Sequence, residues 1–387
     1  MPAAIRALAI GAFAICTGEF IIMGLLQEIA NDLNTTLGQS GFLVSGYALG
    51  VVLGAPLLTP LLIGLNRKPV LIGLMLVFTL GNILCVLAPN YSTLVWARLF
   101  TALSQASFFG LGAVVATKLV PVNKQASAIA AMFLGATLAN IFGSPIGALI
   151  GQAFGWRITF IVIACFGGIA MLSIAKFVPE IQREQTTNLG TEFKTLIQPR
   201  TIRALLITMF GFGGSFAAFT YIAPMLSSLT GIEDEFIPLI LLVCGLGMAV
   251  GNPLGAILSG HNAIIGVRIA LGALVLSLVV LHFSVYSTVA MIIACLLFGV
   301  AMFATIPTLQ TYVLSETKNA PVLASAFNIA AFNLGNAGGA WLGGAAIDTG
   351  THLSQLPLIA AVICTIGFIL SATVSQQMLT AKGKLIS

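Results

Sequence analysis

The chain has 387 residues, 58% of them hydrophobic and 7% charged, with a formal net charge of +5 and a mean hydropathy of +1.08. Soluble domains carry roughly 25% charged residues, so this chain cannot cover itself with a water-compatible surface, and a soluble enzyme is all but excluded. The positive balance has no basic cluster on a soluble segment, which removes nucleic acid as a partner and turns attention to where the cations sit along a membrane.

The first apolar run, residues 5–26, reads IRALAIGAFAICTGEFIIMGLL. As a helix of about 22 residues it is long enough to cross a hydrocarbon core of about 30 Å. A secretory signal would show a shorter apolar region and a small-residue cleavage site, and the run has neither. Glu19 stands inside it. A carboxylate near the middle of such a helix costs about 2.5–3.5 kcal/mol by insertion scales, so something must hold it there.

Eleven further apolar runs follow, at roughly 41–63, 69–88, 92–117, 125–151, 157–178, 202–229, 237–259, 264–284, 288–313, 322–347 and 355–377. Each is far longer than the 9–11 residues of a tilted membrane strand, which favours helices over a barrel. The polar stretch 179–201 lies between the sixth and seventh runs. It predicts a linker between a first six-helix unit, 1–178, and a second, 202–387. Arg6, Arg67, Lys68, Lys118, Lys124, Lys176, Arg203 and Arg268 collect on one side of this arrangement, together with the linker and the C-terminal lysines. The other side has Arg157 alone among basic residues, beside Glu28, Asp32 and Glu233-Asp234-Glu235. The positive-inside rule then predicts a multi-pass membrane protein with both termini and the central loop cytoplasmic, and the bacterial cytoplasmic (inner) membrane is the expected location. Tyr91, Trp96, Trp156 and Tyr286 fall at the opposite helix ends, where interface anchors belong.

The two halves repeat. Leu-Gly-x3-Gly-x-Pro-Leu occurs at 49–57 and again at 246–254, and Ala126-Ser127-Ala128 matches Ala324-Ser325-Ala326. The second run therefore matches the eighth and the fifth the eleventh, the order of a parallel repeat. The expected fold is an all-α membrane protein with 12 transmembrane helices in two six-helix parallel-repeat bundles around a central site.

Glu19 and Arg98 are the charged residues set well inside apolar spans. Counting about 1.5 Å per residue puts both about 21 Å from the same face, a level at which they could pair directly or through water. Such a pair reads either as an ion-coupling site or as a structural ion pair. In the fourth span Arg98, Thr101 and Gln105 share a face by i, i+3, i+7 spacing, and a polar stripe on an apolar span suits a cavity. The seventh span offers Ser215, Phe219 and Tyr221, the tenth Gln310, and the eleventh Asn333 and Asn336. Substrate contact and helix–helix hydrogen bonding are equal readings for these amides. The repeat places Phe219 near the counterpart of Glu19, so the acid belongs to the first half only. In the fifth span Gly143 and Gly147 form a smooth face for close packing, and Pro145 predicts a kink. Arg67-Lys68, in the short second loop, reads as a gate latch or as an orientation signal. The six cysteines fall in six different apolar runs, which argues against a disulfide framework. The three histidines have no metal-ligand spacing and no Walker A pattern occurs. No metal, catalytic residue or cofactor is expected.

The stretches TGEFIIMGLL (17–26), YALGVVLGAPL (47–57), ASFFGLGAVVA (106–116), FGWRITF (154–160) and AFNLGNAGGA (331–340) resemble the major facilitator superfamily, in particular its arabinose-efflux-permease-like drug:H+ antiporters. The resemblance covers the whole chain. It implies a rocker-switch carrier with spans one, four, seven and ten lining the cavity. It further implies proton-driven efflux of small organic molecules such as sugars, nucleosides or drugs. Glu19 matches the branch's helix-one acid, Arg98 the helix-four arginine, and Gly143, Pro145 and Gly147 the antiporter motif. Substrate, protons and lipid are the expected partners, and a monomer the expected state. Three departures stand out: Leu65-Asn66 precede the basic pair where the family has an acid, Ser104-Gln105 stand where relatives have a histidine, and Ser144 interrupts the Gly-Pro pair. A proton-independent facilitator or importer, with Glu19 structural, is the alternative.

Overall fold

Long apolar runs with short polar joints fold into twelve membrane-length helical segments in the computed structural model, which describes residues 2–63, 65–121, 124–181, 197–260, 262–317 and 321–374. Most of the expected linker, 182–196, lies outside the described residues. The spans are α1 (Ala3–Phe20, extended by a 3-10 turn Ile21–Gly24 and a short helix Leu26–Asp32), α2 (Leu37–Ile63), α3 (Arg67–Val86), α4 (Tyr91–Lys118), α5 (Gln125–Phe154) and α6 (Trp156–Phe177). In the second half they are α7 (Pro199–Gly213, Phe216–Phe219 and Ile222–Leu229), α8 (Ile237–Leu258), α9 (Ala263–Ser284), α10 (Thr288–Glu316), α11 (Pro321–Asp348) and α12 (Leu356–Ala372). Among the described residues, eleven helices are apolar enough to span a membrane by composition. α11 supplies the twelfth span: its 28 residues give about 42 Å of helix, although three asparagines and several glycines dilute its hydropathy.

Local chemistry sets the joints. Asn90 caps α4 by accepting from the Thr93 N–H at 2.9 Å, and Asn262 caps α9. Gly155, at φ 84°, is the single residue between α5 and α6, a backbone angle that glycine adopts without strain.

The first bundle is built from α1 on α5 and α6, α2 on α4, and α3 on α4 and α6. Adding six to each number describes the second: α7 on α11 and α12, α8 on α10, α9 on α10 and α12. The bundles meet where α2 packs on α11 and α5 on α8, two seams that the same operation exchanges. Helices in lipid approach closely through small residues. Where α7 crosses α11, a methyl group on Gly213 would land on the backbone of Gly335.

The marked interruptions fall in α1 and α7, and Pro145 sits inside the continuous helix α5. Both breaks occupy equivalent places in the repeat. A broken turn frees carbonyls that need donors, and side chains from neighbouring helices supply them. Ser144, the residue that interrupts the Gly-Pro pair, donates to the Phe20 carbonyl at 2.8 Å.

At the face carrying the acidic loops, Asp32 Oδ2 accepts from Arg157 Nη1 at 2.5 Å and from Trp156 Nε1 at 3.0 Å. Arg157 Nη2 also donates to the Ala88 carbonyl at 3.2 Å, so three joints of the first bundle are tied together. Trp156 is thereby only 2% exposed, which corrects its reading as a lipid-interface anchor. The Arg157 and Trp156 hydrogen bonds hold the Asp32 carboxyl below its usual value. A carboxyl group so depressed stabilises the fold in full above its unfolded pKa of about 4, and the contribution is lost as pH falls through the lower folded value. The side chains are 38% and 46% exposed, so the effect is small, about 1 kcal/mol at most. Thermal melts in detergent should show Asp32→Asn less stable than wild type at pH 7, with the difference fading progressively as pH falls below about 4; a difference undiminished in strong acid would refute the charge assignment.

Candidate functional site

The break in α1 leaves the carbonyls of its last turn facing α4. Arg98, with no exposed surface, donates through Nη1 to the Gly18 carbonyl at 2.6 Å and through Nη2 to the Glu19 carbonyl at 3.4 Å. Its guanidinium carbon also lies 4.4 Å from the centre of the Tyr47 ring, a cation–π contact from α2. Glu19 and Arg98 are at the same level, as their depths predict. Among the described residues, however, no ion pair joins the arginine to the Glu19 carboxylate. The guanidinium binds backbone. The Glu19 carboxylate instead accepts from Gln105 Nε2 at 2.8 Å, and Gln105 Oε1 accepts from the Tyr47 hydroxyl at 2.7 Å. This chain, Tyr47 to Gln105 to Glu19, uses both ends of the glutamine amide. Glu19 is 9% exposed, Gln105 8% and Tyr47 1%.

The remaining candidates divide. Thr101 donates to the Ala97 carbonyl of its own helix and lies against Gly81 of α3, so it packs within the first bundle. Ser215 is buried and donates to the Phe212 carbonyl at 2.6 Å. Phe219 stands 6.2 Å, centroid to centroid, from Phe20 across the bundle boundary and 6.2 Å from Phe298 of α10. Tyr221 donates to the Ala340 carbonyl at 2.9 Å and fills the space over Gly41 of α2, a wedge between the bundles near the acidic loops. Gln310 bonds Ser325 at 2.9 Å and Asn328 at 2.7 Å, which makes it an α10–α11 helix contact. Asn333 donates to the Ile329 carbonyl. The Oδ1 atoms of Asn333 and Asn336 are buried with no hydrogen-bond partner among the described residues, two acceptors left open on α11. Gly143 lies against Thr17 and Phe20, and Gly147 against Ile21, so the face around Pro145 seats the break of α1. Arg67 is buried and its N–H reaches the Ile181 carbonyl at 3.5 Å, while Lys68 is half-buried beside it.

Tyr47, Ser144 and Ser45 are participants to which the sequence assigned no role. Tyr47 had a visible signal, a phenol in an otherwise apolar span, since such a hydroxyl needs a partner when buried.

Two six-helix bundles related by a parallel repeat, with an acid buried in the first, define a polytopic membrane carrier. The chain belongs to the major facilitator superfamily, whose family profile matches residues 8–340. It is 41% identical over 364 residues to the inner membrane transport protein YdhP of Escherichia coli (strain K12), covering 94% of each chain. It is 34% identical to the putative transporter AraJ of the same organism, over 94% of this chain and 92% of that one. Against a chloramphenicol resistance protein of Streptomyces lividans the identity is 32% over 88% of each. Among solved structures, a bacterial homologue of the human lysosomal transporter Spinster, inward-facing and unoccupied, has a TM-score of 0.73 at 17% identity over 96% of each chain. The human organic anion transporter MFSD10 has a TM-score of 0.68 at 14% identity, over 95% of this chain and 99% of that one. The protein is a multi-pass membrane transporter and not an enzyme.

Proposed function

We propose that this transporter exports small organic molecules from the cytoplasm in exchange for protons, with Glu19 as the proton carrier. The units 1–178 and 202–387 move against each other about the central site, joined by 179–201 on the cytoplasmic side together with both termini. The observation that carries the reading is the hydrogen bond from Gln105, a neutral amide, to the Glu19 carboxylate. A carboxylate locked to a guanidinium stays charged, whereas one facing an amide takes or loses a proton by rearranging a single bond. Arg98, engaged with the backbone, stabilises the broken turn that presents the acid. Substrate and proton then compete for one site. Phe20 and Phe219, which face each other across the bundle boundary, suit a ring-bearing molecule, and the buried acceptors of Asn333 and Asn336 would meet hydrogen-bond donors as the helices part. The likeness to a chloramphenicol resistance protein favours drug-like substrates over sugars.

The α2–α11 and α5–α8 seams support a cytoplasm-open reading of this conformation. Ser45 donates to the Ala337 carbonyl at 2.9 Å, Gln152 to the Asp234 carbonyl at 2.9 Å, and Tyr221 fills the space over Gly41, all toward the acidic loops. The test is internal pH in proteoliposomes holding the purified protein, challenged with chloramphenicol, cationic drugs, nucleosides and sugars. A substrate-dependent proton flux is expected. Substrate flux with no proton movement would instead establish the facilitator, with Glu19 structural.

A further inference from the structure

Tyr47 of α2 meets the buried acid's surroundings twice. Its hydroxyl donates to Gln105 Oε1 at 2.7 Å, and its ring lies against the Arg98 guanidinium, 4.4 Å from carbon to ring centre. The residue is 1% exposed, and a phenol taken out of water needs a partner for its proton. Its seat is rigid. Tyr47 packs with Val51 of its own helix and Ala102 of α4. At Gly50 a methyl group would land 2.8 Å from the Leu99 carbonyl oxygen, so α2 and α4 cross too closely to slide. The hydroxyl is thereby fixed relative to the helix that carries Gln105.

The Gln105 amide is the part that can turn. An ionised carboxylate accepts hydrogen bonds and donates none, so Glu19 without its proton requires the Nε2 end. That leaves Oε1 to the Tyr47 hydroxyl, the arrangement seen. A protonated Glu19 has a proton to donate and suits Oε1, which the amide presents only after half a turn. Turning sets Nε2 against the Tyr47 hydroxyl and strips that hydroxyl of its acceptor, one buried hydrogen bond lost. Resting on the reading of Glu19 as the proton carrier, we propose that Tyr47 is a positioning residue whose hydroxyl holds Nε2 of Gln105 toward the acid and so favours proton release. The other titratable groups here do not depend on which way the amide points. Arg98 of α4 and Cys16 of α1 face Glu19, and Cys85 of α3 faces Arg98 and Tyr47. Around the same turn of α1, the helices α3, α5, α6 and α7 present Phe78, Ser144, Ile163 and Phe219, none of which titrates.

The full chain in lipid is titrated by infrared difference spectroscopy, following the protonated-carboxyl band that Glu19→Gln removes. Tyr47→Phe keeps the ring and its packing but leaves Oε1 empty beside the ionised acid and filled beside the protonated one. Its Glu19 band should therefore persist to higher pH, with a midpoint about half to one pH unit above wild type for one neutral hydrogen bond. Tyr47→Met, which also lacks the hydroxyl, serves if the phenylalanine variant misfolds. In a Gln105→Met background the Tyr47→Phe change should move the midpoint no further, whereas a merely structural effect would act with or without the amide. An unmoved midpoint in the folded variant, or an equal shift in both backgrounds, overturns the proposal and leaves the coupling role of Glu19 standing. A wild-type Glu19 that gives no titrating band removes the proton carrier itself, and the role of Tyr47 with it.

Discussion

In proteoliposomes, Glu19→Gln abolishes uphill export while the protein still folds and still binds substrate. Glutamine keeps the shape of Glu19 and an oxygen that can accept from Gln105 Nε2, the bond of 2.8 Å that positions the side chain. It cannot exchange a proton. For a neutral substrate traded for one proton, a potential of 100 mV supplies about 2.3 kcal/mol. At tenfold per 1.4 kcal/mol this sustains a gradient of about 40-fold, which should collapse to onefold in the variant. The readouts are the steady-state substrate ratio and the internal pH, with thermal melting to show that the fold survives. A Glu19→Gln protein that maintains the wild-type gradient would remove the acid from the coupling mechanism.

Arg98→Ala should abolish transport by a different route and should destabilise the protein markedly. The guanidinium holds the Gly18 and Glu19 carbonyls, which the broken α1 cannot satisfy internally. Hydrogen bonds to charged groups contribute about 1.5–3 kcal/mol each, and the loss also empties a fully buried volume. Arg98→Lys should rescue only part of the loss, because an ammonium lacks the planar fork that reaches two carbonyls. The double variant Glu19→Gln with Arg98→Ala discriminates between ion pair and backbone clasp. If the two charges needed each other, removing both would cost little more than removing one. If Arg98 serves the backbone, its loss costs nearly as much in the Glu19→Gln background as in the wild type. Melts of all four proteins decide it.

The fold was legible because a membrane imposes length and hydropathy on every span, and because the halves repeat at the level of short motifs. The site was legible in level but not in direction. Counting residues placed Glu19 and Arg98 at one depth correctly, yet depth says nothing about azimuth or about where a helix breaks. The broken turn after Phe20 turned Arg98 toward backbone and left Gln105 to meet the acid. Trp156 misled for a related reason: its indole N–H is claimed by Asp32 from a different joint, a contact with no trace in local hydropathy. Gln310 had two readings on composition, and its bonds to Ser325 and Asn328 across α10 and α11 are a partnership that local sequence does not name. Tyr47 went unread because a single phenol in an apolar span announces a partner without naming it.

The crossing of α7 and α11 bears on which residues this protein can exchange over generations. At Gly213 and Gly335 two backbones touch, so even one added methyl must push a helix aside. By contrast Leu172 and Val362, each about two-thirds exposed to the surroundings, meet lipid tails that reshape around any apolar group. Large side chains here are interchangeable and the smallest are not, the reverse of a water-soluble domain, whose bulky interior resists change while its surface drifts. The identity of this fold is therefore held by atoms it does not have.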